Sequence, residues 1–403
     1  MSQANRILIL GAGAGGLRVA LGLDRLLIGR RESPVLLVDQ HDCHQITPRL
    51  PDVVSGAASP ASVVLPIRRL LSGRKVELLQ ATVERLDLPT RTIGTSAGPL
   101  SYRWLVVALG GQVATYGLPG VAEHALLLRT VEDAQRSHDA VGESYRQAAW
   151  KLEASEREAL GTAVVGGAGF TGVEVAAALA DRVRELATRY RLPAGVGRVV
   201  LVERAERVLP GYDRALADAA QAALRRKGVQ LRLGVAMAGA SAGEVSLATG
   251  ESIRCGVFVW AGGVEASAVV RASGLPLGRN GRLVVDRQMR VPEHPGAYAL
   301  GDVCAVLGEG INAPPPSAQL AVRQGDVVAH NVFAEIVGGE PREYRAIPQD
   351  VVVSLGRNDA LAMVRGVVVS GWRAVALKRL AELRYLEAIG GPGGLVAGLR
   401  LPA

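Results

Sequence analysis

The stretch Arg6-Ile7-Leu8-Ile9-Leu10-Gly11-Ala12-Gly13-Ala14-Gly15-Gly16 joins an apolar run of strand length to a glycine-rich loop. Gly11, Gly13 and Gly16 have G-x-G-x-x-G spacing, and a helix-like segment, residues 17–27, follows. In such loops the first glycine permits a tight turn, the second lets a pyrophosphate approach the backbone, and the third lets the helix pack on the strand. The helix N-terminus offers free N–H groups to phosphates. The stretch therefore predicts a strand–loop–helix unit that binds a dinucleotide.

An acidic residue completes the unit. The next predicted strand, residues 35–38, is followed by Asp39, which lies 23 residues after Gly16. A carboxylate at this place accepts hydrogen bonds from a ribose. The alternative is a glycine-rich turn that binds nothing, but here the strand, loop, helix, second strand and acid all occur in order. That order favours the dinucleotide site.

The same pattern occurs a second time. An apolar run precedes Gly167, Gly169 and Gly172, and a later strand ends in Glu203, 31 residues after Gly172. Two such units predict two sites, one for a flavin dinucleotide, FAD, and one for a nicotinamide dinucleotide. The alternative is a second fold kept only as a scaffold. Glu203 would accept from a ribose 2′-OH and repel a 2′-phosphate, which favours NADH over NADPH, although Arg204 beside it acts against that preference.

Composition restricts the class of protein. The chain has 403 residues, of which 49% are hydrophobic and 49 are glycine, which suits an α/β protein of two or three domains. A net charge of +8 is compatible with nucleic acid or an anionic membrane surface. Aromatic residues make up only 4% and are not interleaved with a Lys/Arg run, so nucleic acid is not expected. The sequence indicates neither a signal peptide nor a membrane-spanning helix.

The cysteines show no redox or metal spacing. Cys43, Cys255 and Cys304 are far apart in sequence, and isolated cysteines are usually small buried residues. The histidines on either side of Cys43 fit no metal-ligand pattern, so we expect the loop 41–51 to lie at an organic ligand and expect no metal.

Further turns suggest backbone close to a ligand. Apolar strands end in glycines at Gly110, Gly262 and Gly301, where a missing side chain permits close packing. With a flavin nearby, Asp302 is suited to hydrogen-bond a ribityl chain. Thr47-Pro48 interrupts the helical pattern and would bring the backbone close to a flat ring.

A helix is predicted after a run of prolines that ends at the N-cap residue Ser317, and it continues to about residue 337. Gln319 and Gln324 lie on this helix five residues apart. That spacing is about 140° around a helix, so the two glutamines need not share a face. A second, charged helical stretch, residues 131–160, is predicted to present a solvated surface.

The segment 371–389 has the strongest amphipathic pattern. Leucines recur at helical spacing, cations lie between them, and Trp372 and Tyr385 are suited to an interface. Two interpretations stay open: a helix on a membrane surface, or a helix packed on its own domain or across a dimer.

These motifs together resemble the type II, non-proton-pumping NADH:quinone oxidoreductases, within the wider superfamily of flavoproteins with two dinucleotide domains. The most specific match is Ala318-Gln319-Leu320-Ala321-Val322-Arg323-Gln324, which resembles the A-Q-x-A-x-x-Q signature that lines the quinone site of that family. The resemblance covers residues 6–390. The other matching stretches are residues 11–16, 44–51, 104–111, 167–174, 260–262 and 301–302.

The resemblance implies hydride transfer from NADH to FAD, followed by two-electron reduction of a quinone without proton pumping. It implies that FAD is held by Gly11, Gly13, Gly16, Asp39 and Asp302. It implies that NADH is held by Gly167, Gly169, Gly172 and Glu203, with Glu174 near the nicotinamide. It places Gln319 and Gln324 on the quinone side of the flavin, with Thr47 and Pro48 close to the ring.

The expected fold class is α/β, with two Rossmann-like domains. The FAD-binding domain is predicted to be discontinuous, residues 1–117 and 264–338, with an NADH-binding domain, residues 118–263, inserted. Residues 339–403 form a C-terminal region with the amphipathic helix. Members of the family usually carry a longer C-terminal membrane anchor, and Arg323 adds a cation to the quinone motif. The resemblance implies a cytoplasmic location, peripheral on the membrane, and homodimers are common in the family.

Two rival functions remain. A sulfide:quinone oxidoreductase has the same architecture but needs a pair of reactive cysteines near the flavin. A flavin-binding redox sensor or interaction protein would be reduced by NADH and stay reduced when quinone is added.

Overall fold

A computed structural model describes residues 6–29, 34–308, 315–346 and 350–399 of the chain. Its helices are α1 (Ala14–Leu26), α2 (Leu50–Ser55), α3 (Ile67–Leu70), α4 (Val121–His124), α5 (Val131–Ala148), α6 (Ala154–Leu160), α7 (Phe170–Arg189), α8 (Arg214–Arg226), α9 (Ala268–Arg271), α10 (Ala318–Val337) and α11 (Trp372–Leu399).

The strands, in chain order, are β1 (Ile7–Leu10), β2 (Val35–Asp39), β3 (Cys43–Gln45), β4 (Val64–Pro66), β5 (Val76–Gln80), β6 (Val83–Asp87), β7 (Thr92–Thr95), β8 (Gly98–Ser101), β9 (Trp104–Val107), β10 (Gly111–Val113), β11 (Leu126–Leu127), β12 (Thr162–Gly166), β13 (Arg198–Glu203), β14 (Val229–Leu233), β15 (Met237–Ser241), β16 (Glu244–Leu247), β17 (Ser252–Arg254), β18 (Val257–Trp260), β19 (Val264–Ala266), β20 (Leu283–Val285), β21 (Ala297–Ala299), β22 (Cys304–Val306), β23 (Val351–Ser354), β24 (Ala360–Val364) and β25 (Val367–Ser370).

The first parallel sheet has the strand order β21-β9-β1-β2-β5. Its central strand β1 is buried along its whole length and runs parallel to both neighbours, β2 and β9. A strand covered on both faces needs an uninterrupted apolar sequence, which explains the run that opens the chain. Beside this sheet α1 packs against α10, where Gly22 leaves room for Ala329.

The second parallel sheet has the order β11-β18-β12-β13-β14 and repeats the arrangement. Its strand β12 is buried throughout, and α7 packs on it with a face of small and branched apolar residues. The two sheets confirm the predicted α/β class. The chain leaves the first sheet after β9, builds the second, and returns to the first at β21; β10 and β19 lie antiparallel at the crossing.

The C-terminal part forms a three-stranded antiparallel sheet, β23-β24-β25, against which α11 packs. The helix α11 also contacts α1 and α3, and its backbone departs from helical geometry at Gly391. Among the described residues, every helix is too short or too polar to cross a bilayer.

Several predicted boundaries differ from the structure. The helix expected over residues 131–160 is two helices, α5 and α6. Between them the guanidinium of Arg157 donates to the carbonyls of Lys151 and Leu152, at 2.7 and 3.0 Å, and this holds the chain in a turn. The helices α1 and α7 begin three residues earlier than residues 17 and 173, because the three residues that end at the last glycine of each loop already have helical geometry.

Part of the predicted proline-rich entry to α10, including Pro314, lies outside the described residues. The predicted N-cap is confirmed, since the hydroxyl of Ser317 accepts a hydrogen bond from the N–H of Leu320 at 3.2 Å.

Candidate functional site

The first glycine-rich loop has the tight geometry that its sequence predicts. Gly11 has φ +100°, a value that L side chains rarely adopt, and a Cβ there would meet the backbone of Ala108. A Cβ on Gly16 would overlap the carbonyl oxygen of Gly11, so glycine lets α1 approach the loop. Among the described residues, no atom beyond the adjacent backbone lies within 4 Å of a Cβ position on Gly13, and Gly13 lines the adjoining cavity. The loop therefore leaves room for a phosphate group beside Gly13.

A cavity of about 280 Å³ opens at this loop. It brings together predicted site residues from five separate segments of the chain, namely Gly13, Asp39, Thr47, Gly110, Gly301 and Asp302. Gly11 and Gly16 lie behind the loop, and Pro48 lies next to Thr47 in a short 3₁₀ turn. A glycine-lined cavity beside a helix N-terminus, with an acidic residue at the end of the second strand, has the features of a flavin dinucleotide site.

Asp39 has a second contact that the sequence analysis missed. Its Oδ2 accepts from the N–H of Ala12, the middle residue of the loop, at 2.6 Å, and its Oδ1 accepts from the N–H of His41 at 2.8 Å. Each carboxylate oxygen has a further lone pair for a ribose hydroxyl. Asp39 thus fixes the loop and can still bind a ribose.

The second loop repeats this arrangement. Glu203 Oε2 accepts from the N–H of Ala168 at 2.7 Å, and Oε1 accepts from the N–H of Ala205 at 2.8 Å. Gly172 lies against the carbonyl of Gly167 as Gly16 does against Gly11. Gly169, also predicted for the NADH site, lies in the same loop, and Gly262, predicted to bring backbone close to a ligand, lies in the turn after β18.

Arg129 is a further cavity residue that sequence reasoning missed. Its Nη2 lies 3.3 Å from Asp302 Oδ2, and both side chains line the cavity. The two residues are 173 positions apart, so no local pattern predicts their contact. Arg129 adds a positive charge to a site that would receive a pyrophosphate.

The two predicted glutamines of α10 lie in different environments. Gln319 is exposed, whereas Gln324 is only 3% exposed and its Oε1 accepts from the N–H of Gly301 at 2.7 Å. Arg323 is exposed and lies four residues after Gln319, on the same face of the helix. The side chain that accompanies Gln319 is therefore Arg323, and Gln324 supports the turn before Asp302.

Glu174 belongs to a separate charged cluster. Its Oε1 accepts from the N–H of Ser354 at 2.9 Å. Lys378 donates to the hydroxyl of Ser354 at 3.1 Å and lies 3.6 Å from Asp52 and 3.9 Å from Glu382. Burial raises the pKa of Glu174 to about 7, although the Ser354 N–H and Lys378 lower it. Glu174 can therefore change protonation state near neutral pH.

The C-terminal helix turns part of its amphipathic pattern inward. Tyr385 lines the cavity, and Lys378 and Arg379 lie against acidic residues of the chain. These side chains face inward because their polar groups find hydrogen-bond and ion-pair partners there. Trp372, 75% exposed, and Leu380, 45% exposed, remain on the outer face.

Residues 5–325, which include both loops and the first turns of α10, match the pyridine nucleotide-disulphide oxidoreductase family. The chain belongs to this family. Over 392 residues, 96% of each chain, the sequence is 29% identical to the type II NADH:quinone oxidoreductase of Staphylococcus aureus.

Solved structures show the same fold. The structure of NDH2 from Plasmodium falciparum in complex with NADH has a TM-score of 0.85 at 17% identity, covering 98% of both chains. The sulfide:quinone oxidoreductase of Aquifex aeolicus has a TM-score of 0.80 at 18% identity, covering 97% of this chain and 92% of the other. The predicted architecture of two dinucleotide-binding domains is thereby confirmed for this member of the family.

Proposed function

We propose that the chain is a type II NADH:quinone oxidoreductase that uses FAD and does not pump protons. One observation carries the proposal: the similarity to the Staphylococcus aureus enzyme of that name extends over 96% of both chains rather than one domain. When bound, FAD supplies the acceptor for a hydride from NADH and the donor of two electrons to a quinone, chemistry that no side chain provides.

The residues at the first cavity would hold FAD. The loop N–H groups and Arg129 oppose the negative charge of the pyrophosphate, Asp39 accepts from the adenosine ribose, and Asp302 accepts from the ribityl chain. The full set proposed for FAD is Gly11, Gly13, Gly16, Asp39, Thr47, Pro48, Gly110, Gly301 and Asp302.

The second loop would hold NADH. Its N–H groups face the pyrophosphate, and Glu203 accepts from the ribose 2′-OH while repelling a 2′-phosphate, which favours NADH. The full set proposed for NADH is Gly167, Gly169, Gly172, Glu203 and Gly262. Glu174, close in sequence to this loop, would adjust the charge near the nicotinamide as its protonation changes.

Gln319 would face the quinone on the outer side of α10. Arg323 on the same face adds a cation that can donate to a quinone oxygen. Gln324 would act through Gly301, since its side-chain oxygen already accepts from that N–H. We propose that the domain boundaries follow the sequence prediction, with residues 118–263 inserted between 1–117 and 264–338, and 339–403 as the C-terminal region.

The cysteines support this proposal over a sulfide:quinone oxidoreductase. None of Cys43, Cys255 and Cys304 forms a disulfide. Cys255 is buried in the core beside the second sheet, where burial raises the pKa of its thiol to about 12, and Cys304 is buried in the core of the first. Cys43 alone of the three lines the FAD cavity, whereas the rival reaction needs two thiols.

We also propose that the protein associates peripherally with the cytoplasmic face of a membrane through the outer face of α11. That face carries Trp372 and Leu380 beside the exposed cations Arg373 and Arg384, a combination suited to an anionic lipid surface. A homodimer, common in the family that the chain resembles, is a further proposal.

Stopped-flow absorbance tests the proposed reaction. The purified protein is mixed first with NADH and then with a short-chain quinone. A yellow flavin band that bleaches and returns rapidly with quinone supports the proposal. A band that bleaches and stays bleached contradicts quinone reduction and favours a redox sensor.

A further inference from the structure

The carbonyl group of Ala12, in the middle of the first loop, is held by a side chain from another segment. His44 Nδ1 lies 3.0 Å from the Ala12 oxygen, and His44 is only 3% exposed. A carbonyl oxygen can only accept, so Nδ1 carries the proton and donates. Burial lowers the pKa of His44, so the ring is neutral and its Nε2 is an acceptor.

The C-terminal helix supplies the donor for that acceptor. The hydroxyl of Tyr385, on α11, lies 2.8 Å from His44 Nε2 and donates to it. Both side chains line the FAD cavity. A continuous chain of hydrogen bonds therefore runs from α11 through His44 to the Ala12 carbonyl, in the loop that would receive the pyrophosphate. On its other side, the N–H of Ala12 is held by Asp39.

A second contact joins α11 to the helix that follows the loop. Arg18 of α1 donates to the carbonyl of Ala388 on α11 at 3.1 Å, and its Nε lies 2.6 Å from Asp326 on α10. Tyr385 and Ala388 are one turn apart on α11. The same turn of the C-terminal helix is thus attached both to the loop and to α1.

The second loop has no such attachment among the described residues. There the carbonyl of Ala168, which corresponds to Ala12, accepts from the backbone N–H of Leu209 at 2.7 Å. Leu209 follows β13 and belongs to the same core cluster as the strands of the second sheet. The loop for NADH is fixed by its own domain, whereas the loop for FAD is fixed partly by α11.

We propose that His44 and Tyr385 are positioning residues through which the docking of the C-terminal helix sets the affinity of the first loop for its dinucleotide. The inference rests on the proposed function, because FAD is the ligand assigned to that loop. By linkage, a ligand that needs the ordered loop also favours the docked helix, so FAD binding and helix docking strengthen each other by the same factor. A partner or surface that pulls α11 away would weaken FAD binding.

Equilibrium binding of FAD to the flavin-depleted, full-length protein tests this, with flavin fluorescence as the signal. Tyr385→Phe keeps the ring and removes the hydroxyl, and we expect about a tenfold rise in the FAD Kd, the size of one lost buried hydrogen bond. His44→Phe removes both bonds and should raise Kd further, by about a hundredfold. Adding Tyr385→Phe to His44→Phe should then change nothing more, because the two act in series.

Tyr298→Phe is the matched control. The hydroxyl of Tyr298, a side chain of the same core, also donates a part-buried hydrogen bond, to Glu335 at 2.7 Å, but lies outside the cavity. Tyr298→Phe should leave the FAD Kd within twofold of the unsubstituted protein.

Hydrogen exchange adds a second measurement. FAD should slow exchange of the α11 amides near Tyr385, and Tyr385→Phe should abolish that slowing.

Two results would overturn the coupling. One is an FAD Kd for Tyr385→Phe within twofold of the unsubstituted protein. The other is an equal loss in Tyr298→Phe, which would assign the effect to general destabilisation. If the unsubstituted protein binds no FAD, the proposed function fails as well, so the two failures are distinguishable.

Discussion

The two glycine-rich loops have nearly the same sequence but different supports. In both, the N–H of the middle alanine donates to the acid at the end of the next strand. The carbonyl of Ala168 accepts from the nearby backbone N–H of Leu209, whereas that of Ala12 depends on His44 and, through it, on Tyr385. The motif fixes the shape of a loop, and the surrounding chain decides what that loop is coupled to.

The difference extends to the rest of each site. At the first cavity, Arg129 reaches Asp302 and Gln324 holds the N–H of Gly301, so residues from distant segments complete it. At the second loop, Glu203 makes its contacts within its own domain. We therefore expect the FAD site to respond to changes far away in sequence and the NADH site to respond mainly to local changes.

The largest expected effect comes from introducing a side chain at the third glycine of each loop. In Gly16→Val the new side chain would overlap the carbonyl of Gly11 and force α1 away from the loop. We expect this protein to purify without flavin. Gly172→Val makes the same change at Gly167 and should leave flavin bound while NADH no longer bleaches it. Flavin absorbance before and after NADH addition measures both.

Gly142→Ala is the control for these substitutions. Gly142 lies in the interior of α5, and the nearest atom to its Cβ position, on Arg182 of α7, is 3.9 Å away. It should retain both flavin and NADH reduction. If Gly172→Val also lost its flavin, the two sites would not be independent, which would contradict the separate supports of the two loops.

The next largest effect is expected from replacing the acidic residues that hold the two loops, Asp39 and Glu203. An amide keeps only one acceptor oxygen, so Asp39→Asn loses one of two charge-assisted hydrogen bonds and should weaken FAD binding about ten- to a hundredfold. Glu203→Gln should raise the KM for NADH by a similar factor and leave FAD binding unchanged. Titration with FAD and steady-state kinetics with NADH measure the two. Equal effects of both variants on both ligands would contradict the separate roles.

The sequence predicted what depends on local geometry. The G-x-G-x-x-G spacing, the buried strand before it and the acid after the next strand are features of short segments, and the structure reproduces them at Gly11 and Gly167. The N-cap of α10 at Ser317 was predictable for the same reason.

Contacts between distant segments left no local pattern. His44 and Tyr385 are 341 residues apart, and neither lies in a motif that requires the other. The segment 371–389 is amphipathic, but an apolar stripe is equally suited to lipid and to a protein core. The structure assigns Tyr385 and Leu386 to the inside and Trp372 to the outside, a division that depends on which polar partners the fold brings near.

A smaller effect concerns Glu174, whose carboxylate accepts from the N–H of Ser354 in the charged cluster around Lys378. Its pKa is raised from 4.5 to about 7 in the folded protein. Between pH 4.5 and 7 the folded chain thus holds a proton that the unfolded chain has released, so this group lowers stability as the pH rises and has no further effect above about 7. Glu174→Gln removes that dependence. We therefore compare the Tm of Glu174→Gln with the Tm of the unsubstituted protein at each pH. The variant's Tm minus that of the unsubstituted protein should be about 2 to 4 °C larger at pH 8 than at pH 4.5.

Scanning fluorimetry across this pH range checks the sign. Glu156→Gln is a control, since Glu156 forms only an exposed ion pair with Lys151. A Tm difference for Glu174→Gln that stays constant with pH would show that the carboxyl group does not titrate there. Glu174 does not line the FAD cavity, so this pH dependence should leave FAD affinity unchanged.

The smallest expected effect is at Cys43, a thiol at the first site with no counterpart at the second loop. Burial and the nearby carboxylates raise the pKa of this thiol, so at neutral pH it is protonated and a poor nucleophile. A reaction that passes a hydride from NADH to a flavin needs no thiol, and Cys43→Ser should keep the kcat for quinone reduction within twofold. Alkylation of the unsubstituted protein should likewise leave turnover intact.

A more than tenfold loss of kcat in Cys43→Ser, with flavin content unchanged, would instead place a thiol in the electron path. The first cavity would then contain a redox-active thiol, and the contrast between the two sites would be chemical as well as structural.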